Sequence, residues 1–276
     1  MMKDNTNGKV SRQWREFLLP LISYGVLAFL IVPIFIIIPM SFGPKQYFEF
    51  PPSELSLRWY FNFFSDYQWI MAAWTSFKVA FFATILAVVL GTLASFCFVR
   101  ANFPGKELLY GFVLSPIIMP LIVLAIAIYF FFGQLKLIGS VPGLVLAHAI
   151  LGTPFVILIV TATLQGFDIN LEKAAMNLGA NRLKTFFKVT FPLIRSGILS
   201  GALFAFLMSF DEVIIAIFIC GTSAITLPKR MWDSLTMETD PTITAIATML
   251  VVFTVSLLLL MEFIRRHHLS KEKGTF

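Results

Sequence analysis

The sequence predicts an all-α integral membrane protein of six transmembrane helices, and three observations predict it. Hydrophobic residues make up 58% of the 276-residue chain and charged residues only 13%, with a mean hydropathy of +0.85. A soluble domain carries about a quarter charged residues. Six stretches each supply the roughly 20 apolar residues that a helix needs to cross a bilayer. These runs are too long and too little alternating for barrel strands, and helices satisfy every backbone group inside hydrocarbon. The 31 Phe residues exceed what one soluble core could bury. Disordered, collagenous and nucleic-acid-binding classes are excluded by the same figures.

The first span runs from Phe17 to Met40, and the second from Ala72 to Val99 with Lys78 near its start. The third is Leu108 to Gly133 and the fourth Val141 to Gln165. The fifth is Ser196 to Cys220, interrupted by Asp211 and Glu212, and the sixth Thr242 to Met261. One transmembrane domain, residues 17–264, is expected between an arm (1–16) and a tail (265–276). The first span is too long for a signal-peptide core and lacks a small-residue cleavage site, so it should remain as an anchor. No internal repeat is present. Pro116 and Pro120 should kink the third span, and Gly152-Thr153-Pro154 the fourth.

Lys and Arg mark the cytoplasmic side of a membrane protein. The arm holds Lys3, Lys9, Arg12 and Arg15, and the loop after span two holds Arg100 and Lys106. The loop after span four adds Lys173, Arg182, Lys184, Lys188 and Arg195, and the tail adds Arg265, Arg266, Lys271 and Lys273. These fifteen oppose five on the other side: Lys45, Arg58, Lys136, Lys229 and Arg230. Both termini are therefore expected in the cytoplasm, and the net charge of +6 needs no polyanionic partner. Lys78 at the membrane edge can snorkel to the headgroups. Cys97 and Cys220 then lie a bilayer apart, so both should be free thiols.

The outer loop from Ser41 to Ile70 carries an aromatic stretch with Trp59, Tyr60, Phe61, Phe63, Phe64, Tyr67 and Trp69, continued by Trp74. An interfacial belt is the simpler reading, and a substrate cage the sharper one.

The segment between spans four and five is the most informative. Asp168 or Asn170 can N-cap a short helix with Glu172 in its first turn, where an acidic residue is favoured. Gly179 can end that helix in the left-handed conformation. Asn181 can cap a second helix whose Leu183, Phe186, Phe187 and Phe191 form an apolar stripe, before Pro192 leads back into the membrane. Ala174 and Ala175 leave a surface that another protein can approach closely. An amphipathic helix resting on headgroups fits the same pattern.

Glu172-Lys173-Ala174-Ala175, then Leu178-Gly179-Ala180, Phe186, Val189 and Pro192, resemble the EAA loop of ABC importer permeases. The resemblance covers about 25 contiguous residues, and the six spans extend it to nearly the whole chain. It implies the type I ABC permease fold, with residues 166–192 as the cytoplasmic coupling loop that docks on an ATPase. Glu172, Ala174, Ala175, Gly179, Ala180, Phe186 and Pro192 would serve that coupling. The implied partners are a second, related permease, a cytoplasmic ATPase dimer and a periplasmic or lipid-anchored solute-binding protein, in a bacterial inner membrane. This chain has no phosphate-cradling G-x-x-x-x-G-K-[ST] loop, so ATP and Mg would be bound by the partner ATPase and no cofactor by this chain. No nucleophile motif or Cys–His cluster suggests an enzyme, and no metal site is expected. His267 and His268 in the tail read as solvated.

Asp211 and Glu212 are the clearest anomaly, because each carboxylate costs about 3 kcal/mol at a helix centre. Asp211 lies about 22 Å along span five, and adjacent helical residues point roughly 100° apart. One could line a path for a cationic solute while the other pairs with a neighbouring helix; a purely structural pair is the alternative. His148, about 10 Å into span four, lies at a similar depth. It could meet a carboxylate or, more simply, bond a neighbouring backbone. Phe206, Phe210 and Tyr129 are candidate aromatic flanks of the path.

Ser209-Phe210-Asp211-Glu212-Val213 with Thr226-Leu227-Pro228-Lys229-Arg230-Met231-Trp232 is similar to the polyamine branch of these permeases, most closely the C-type subunits of spermidine/putrescine importers. That resemblance implies a polyamine cargo. Opines, amino-acid derivatives, aminophosphonates and metal ions are the rival solutes. A secondary transporter with Asp211, Glu212 and His148 as a proton relay is the rival class.

Overall fold

A computed structural model describes residues 6–237 and 240–273, with side chains at 18–237 and 240–263. The side chains of the basic arm and tail, His267 and His268 included, lie outside the described residues. Among the described residues the chain forms helices and no strand. They fall into two compact units, one within Met1–Ser65 and Thr239–Val255, the other within Asp66–Glu238 and Ser256–Phe276.

The first unit holds α1 (Thr6–Met40), α2 (Arg58–Ser65) and the start of α12 (Thr242–Lys273). Apolar side chains of α1 such as Phe29 and Phe35 are exposed, as a lipid-facing helix requires. The loop after α1 is tied down by Trp59, whose Nε1 donates to the Gly43 carbonyl at 2.8 Å, and by a 2.7 Å hydrogen bond between Ser41 and Tyr60. Asn62 Nδ2 donates to Thr242 Oγ1 at 2.8 Å, and Asp240 caps α12 by accepting from the Thr242 N–H. Trp59 and Phe63 are buried, whereas Phe61 and Phe64 are exposed. Part of the aromatic stretch is thus packing rather than belt or cage.

The second unit contains α3 (Tyr67–Arg100), α4 (Lys106–Ile118), α5 (Leu121–Gln134), α6 (Val141–Gln165), α7 (Asn170–Asn177) and α8 (Arg182–Thr185). A π-helical turn (Phe186–Thr190) follows, then α9 (Phe191–Phe210), α10 (Ile214–Ile219) and α11 (Leu227–Met237). In lipid there is no hydrophobic drive between helices, so they associate through close packing of small residues. The seam joining α3, α6 and α9 is built that way. A Cβ on Gly91 would fall 2.7 Å from Val156 Cβ, and one on Gly197 2.2 Å from Thr163 Oγ1. Ser95 Oγ donates across the seam to the Ile157 carbonyl at 3.2 Å. A second core joins α5, α6 and α10 through Ala125, Leu144, Ala147, Ile215 and Ile219.

Among the described residues five helices are long and apolar enough to cross a membrane, and the α4–α5 pair, bent by 106°, makes a sixth when counted as one broken span. The bend falls at Met119-Pro120, where proline supplies no N–H and holds Met119 extended at ψ 141°. The fifth span departs from the sequence reading. Its helix stops at Phe210, and α10 resumes only at Ile214. Cys97 and Cys220 are both free, the first exposed and the second buried.

Candidate substrate path and coupling loop

The loop between spans four and five folds from its own capping residues. Asp168 Oδ1 accepts from the Asn170 N–H at 2.9 Å, opening α7. Gly179 takes φ +86°, a conformation that any side chain would strain, and turns the chain out of α7. Asn181 Oδ1 accepts from the Lys184 N–H at 2.8 Å and opens α8. The second helix is not a separate piece, as the sequence reading had it. It runs through the π-helical turn straight into α9, with Pro192 in the first turn of α9. Proline within a continuous helix removes a donor and crowds the preceding turn. The wider ring absorbs it: the Phe191 N–H donates to the Phe186 carbonyl, five residues back.

Ala174 is exposed and Ala175 and Ala180 half-buried. Phe186 packs edge-on against Phe96 of α3, with ring centroids 5.6 Å apart. Glu172 is buried and turns inward. Arg100 Nη2 donates to Glu172 Oε1 at 2.5 Å and Nη1 to Oε2, and Thr190 Oγ1 donates to Oε1 as well. Burial opposes ionisation of this carboxyl, but the hydrogen bonds of Arg100 and Thr190 and the guanidinium charge prevail and hold it below the usual carboxylate range. Sequence reasoning counted Arg100 only as a loop charge. Its place at the end of a 34-residue apolar helix was the available signal.

At the other end of α9, Asp211 and Glu212 part company. Asp211 is exposed, whereas Glu212 retains only 6% of its accessible surface. Glu212 Oε1 accepts from the Ile215 N–H at 2.9 Å, which would otherwise be orphaned at the start of α10. The two residues therefore do not diverge by helical rotation, as a continuous span would require; the helix break separates them. His148 on α6 is buried, with Nδ1 3.0 Å from the Ser209 carbonyl and 2.9 Å from Ser209 Oγ. It satisfies a carbonyl in the last turn of α9 and meets no carboxylate. The break thus has a buried polar partner on each side, His148 before it and Glu212 after it.

Phe206 and Phe210 stack at 5.5 Å, and Phe206 meets Phe77 of α3 edge-on at 6.3 Å. Phe77 in turn stacks with Trp74 at 5.7 Å and Phe81 at 6.2 Å. A continuous aromatic ladder ends at Phe210, the residue before the exposed Asp211, and Phe77 and Phe81 were not singled out from sequence. Tyr129 is not brought into this ladder; its ring meets Phe130 and Phe218. The segment after α10 is held to α3, because the Leu227 N–H donates to Ser76 Oγ at 2.8 Å and the Arg230 guanidinium lies 5.2 Å over the buried Trp69 ring.

The chain combines long apolar helices with a broken fifth span and a folded loop before it. Residues 87–272 match the family of binding-protein-dependent transport system inner membrane components, and the chain belongs to that family. It is a multi-pass transport subunit rather than an enzyme. It is 31% identical over 252 residues to the spermidine/putrescine transport system permease protein PotC of Haemophilus influenzae, covering 91% of this chain and 98% of that one. To the putrescine transport system permease protein PotI of Escherichia coli K12 it is 34% identical over 202 residues, 71% of this chain and 72% of the relative. Among solved structures, a bacterial alginate ABC transporter in complex with a pentasaccharide-bound periplasmic protein superposes with a TM-score of 0.70 at 17% identity, over 96% of this chain and 98% of that one. A second structure of an alginate-importing ABC transporter gives 0.63 at 15% identity, over 96% and 99%. These two bear on the fold alone.

Proposed function

We propose that this chain forms half of the translocation path of an ATP-driven importer for spermidine and putrescine. The observation that carries the proposal is the exposed Asp211 at the end of the Trp74–Phe77–Phe206–Phe210 ladder. A carboxylate attracts an ammonium group, and aromatic faces bind desolvated cations. An alkyl chain with charged ends uses both kinds of surface. Two relatives whose names specify spermidine or putrescine transport point to the same cargo. In this reading Asp211 faces the path and Glu212 shapes it. A second permease completes the path, a solute-binding protein delivers cargo from the outer side, and an ATPase dimer holding ATP and Mg docks on residues 166–192. Both termini face the cytoplasm, in line with the fifteen-to-five bias of Lys and Arg.

The test is uptake of labelled spermidine and putrescine in cells lacking the gene, complemented with wild type, Asp211→Asn or Glu212→Gln. ATP depletion and an uncoupler are applied separately. ATP-dependent uptake restored by wild type and lost in Asp211→Asn supports cargo and site together. Uptake that responds to the uncoupler alone would replace the reading with a gradient-driven transporter. Absence of polyamine uptake in every strain would redirect the search to another solute.

A further inference from the structure

We infer that Arg100 is a positioning residue for the coupling loop, the joint that makes α3 and α7 a single moving part. The inference rests on the permease reading above. Glu172 is the sole acidic residue of α7, and its carboxylate is met from two other elements: Arg100, the last residue of α3, and Thr190, the last residue of the π-helical turn. The guanidinium engages both carboxylate oxygens, a two-pronged geometry that fixes orientation as well as distance. The same guanidinium lies 5.1 Å over the Phe96 ring, which packs against Phe186. Ion pair and aromatic seam therefore join α3 to both flanks of the loop.

Turns at Asp168 and Gly179 shape the ends of α7, and its packing is with the π-helical turn and α8, so the ion pair is what ties its side chains to α3. α7 has eight residues, too few to hold a helix alone in water, and its apolar side chains Leu171 and Met176 are exposed. α3, by contrast, is an unbroken rod of 34 residues, about 50 Å long, whose other half carries Phe77 against Phe206. A push on α7 passes through Arg100 into the helix that borders the aromatic ladder. The carboxylate of this pair is buried and its guanidinium partly exposed, so desolvation and solvent screening leave it little net stability, and the geometry it imposes is its main effect.

The experiment uses the complete complex, with its partner permease, ATPases and binding protein, reconstituted in vesicles. Arg100→Gln, Arg100→Lys and the double variant Arg100→Gln/Glu172→Gln are compared with wild type. The double variant leaves no uncompensated buried charge, so it should assemble as wild type does. It should nonetheless move about tenfold less spermidine per ATP hydrolysed, and Arg100→Lys should be intermediate, since an ammonium cannot reproduce the fork. A wild-type transport-to-hydrolysis ratio in the double variant would reduce the pair to a folding contact and overturn the inference. A second readout needs no cargo. Amide exchange within residues 170–177 of the assembled complex should accelerate by about tenfold in the double variant. Unchanged exchange would overturn the inference, while failure of wild type to transport spermidine would strike the cargo alone.

Discussion

Asp211 and Glu212 are chemically near-equivalent neighbours that the backbone places in opposite surroundings, and substitution should separate them. Glu212→Gln keeps an oxygen that accepts from the Ile215 N–H and should unfold within about 0.5 kcal/mol of wild type, whereas Glu212→Ala removes a cap and should cost about 1 kcal/mol. Asp211→Asn should leave stability unchanged and reduce uptake about tenfold, the loss expected when one charged contact to a cation is removed. Thermal unfolding in detergent beside labelled uptake distinguishes them. His148→Leu strands the Ser209 carbonyl in the interior and should cost about 1–3 kcal/mol by the same unfolding measurement. Glu172 has a pH signature of definite sign. Its folded carboxyl titrates below its ordinary value of 4.5, so its contribution is complete above that pH and is lost as the pH falls through the lower folded value. Between pH 6 and 8 wild type and Glu172→Gln should therefore differ by a constant amount. As the pH falls below the ordinary value the gap should narrow progressively, as unfolding midpoints followed from pH 7 into acid would reveal.

At the scale of elements, three departures from regular helix shape the spans and the candidate site: the 106° elbow between α4 and α5, the π-helical turn before Pro192, and the break at 211–213. Only the first was legible in sequence, because Pro116 and Pro120 announce it. The break in span five was hidden because the apolar run continues through Ile214–Ile219. Hydropathy reports what a segment can be buried in, whereas the break depends on which side chains accept its freed N–H groups. Pro192 leads back into the membrane, as its sequence suggests, but without a separate start: a five-residue-back hydrogen bond carries the helix past it. The loop caps were legible at Asp168, Gly179 and Asn181, because capping is a local property of short polar side chains and glycine. Gly179→Val should therefore cost about 1–2 kcal/mol locally and abolish ATP-driven uptake, while Gly179→Asn should be milder; paired transport and ATPase assays check this.

For the molecule as a whole, composition and six apolar runs sufficed to read a multi-pass membrane protein, and the resemblance at residues 172–192 pointed to importer permeases, but neither reached the network around Arg100. That network joins Arg100 to Glu172, 72 positions apart, and Glu172 to Thr190, 18 positions apart, beyond the reach of any local pattern. The α3–α6–α9 seam should tolerate enlargement poorly throughout. Gly197→Leu would drive side chain into Thr163, and a loss of folded yield in membranes is the expected outcome. The two cysteines have a practical consequence. Cys97 is exposed, three residues before Arg100, while Cys220 is buried with its thiol donating to the Gly221 carbonyl at 3.3 Å. A thiol-reactive dye should thus label the folded protein at one position, beside the joint between helix and loop. The native chain carries its own attachment point for an optical probe that watches this joint during the transport cycle, with no engineered cysteine required.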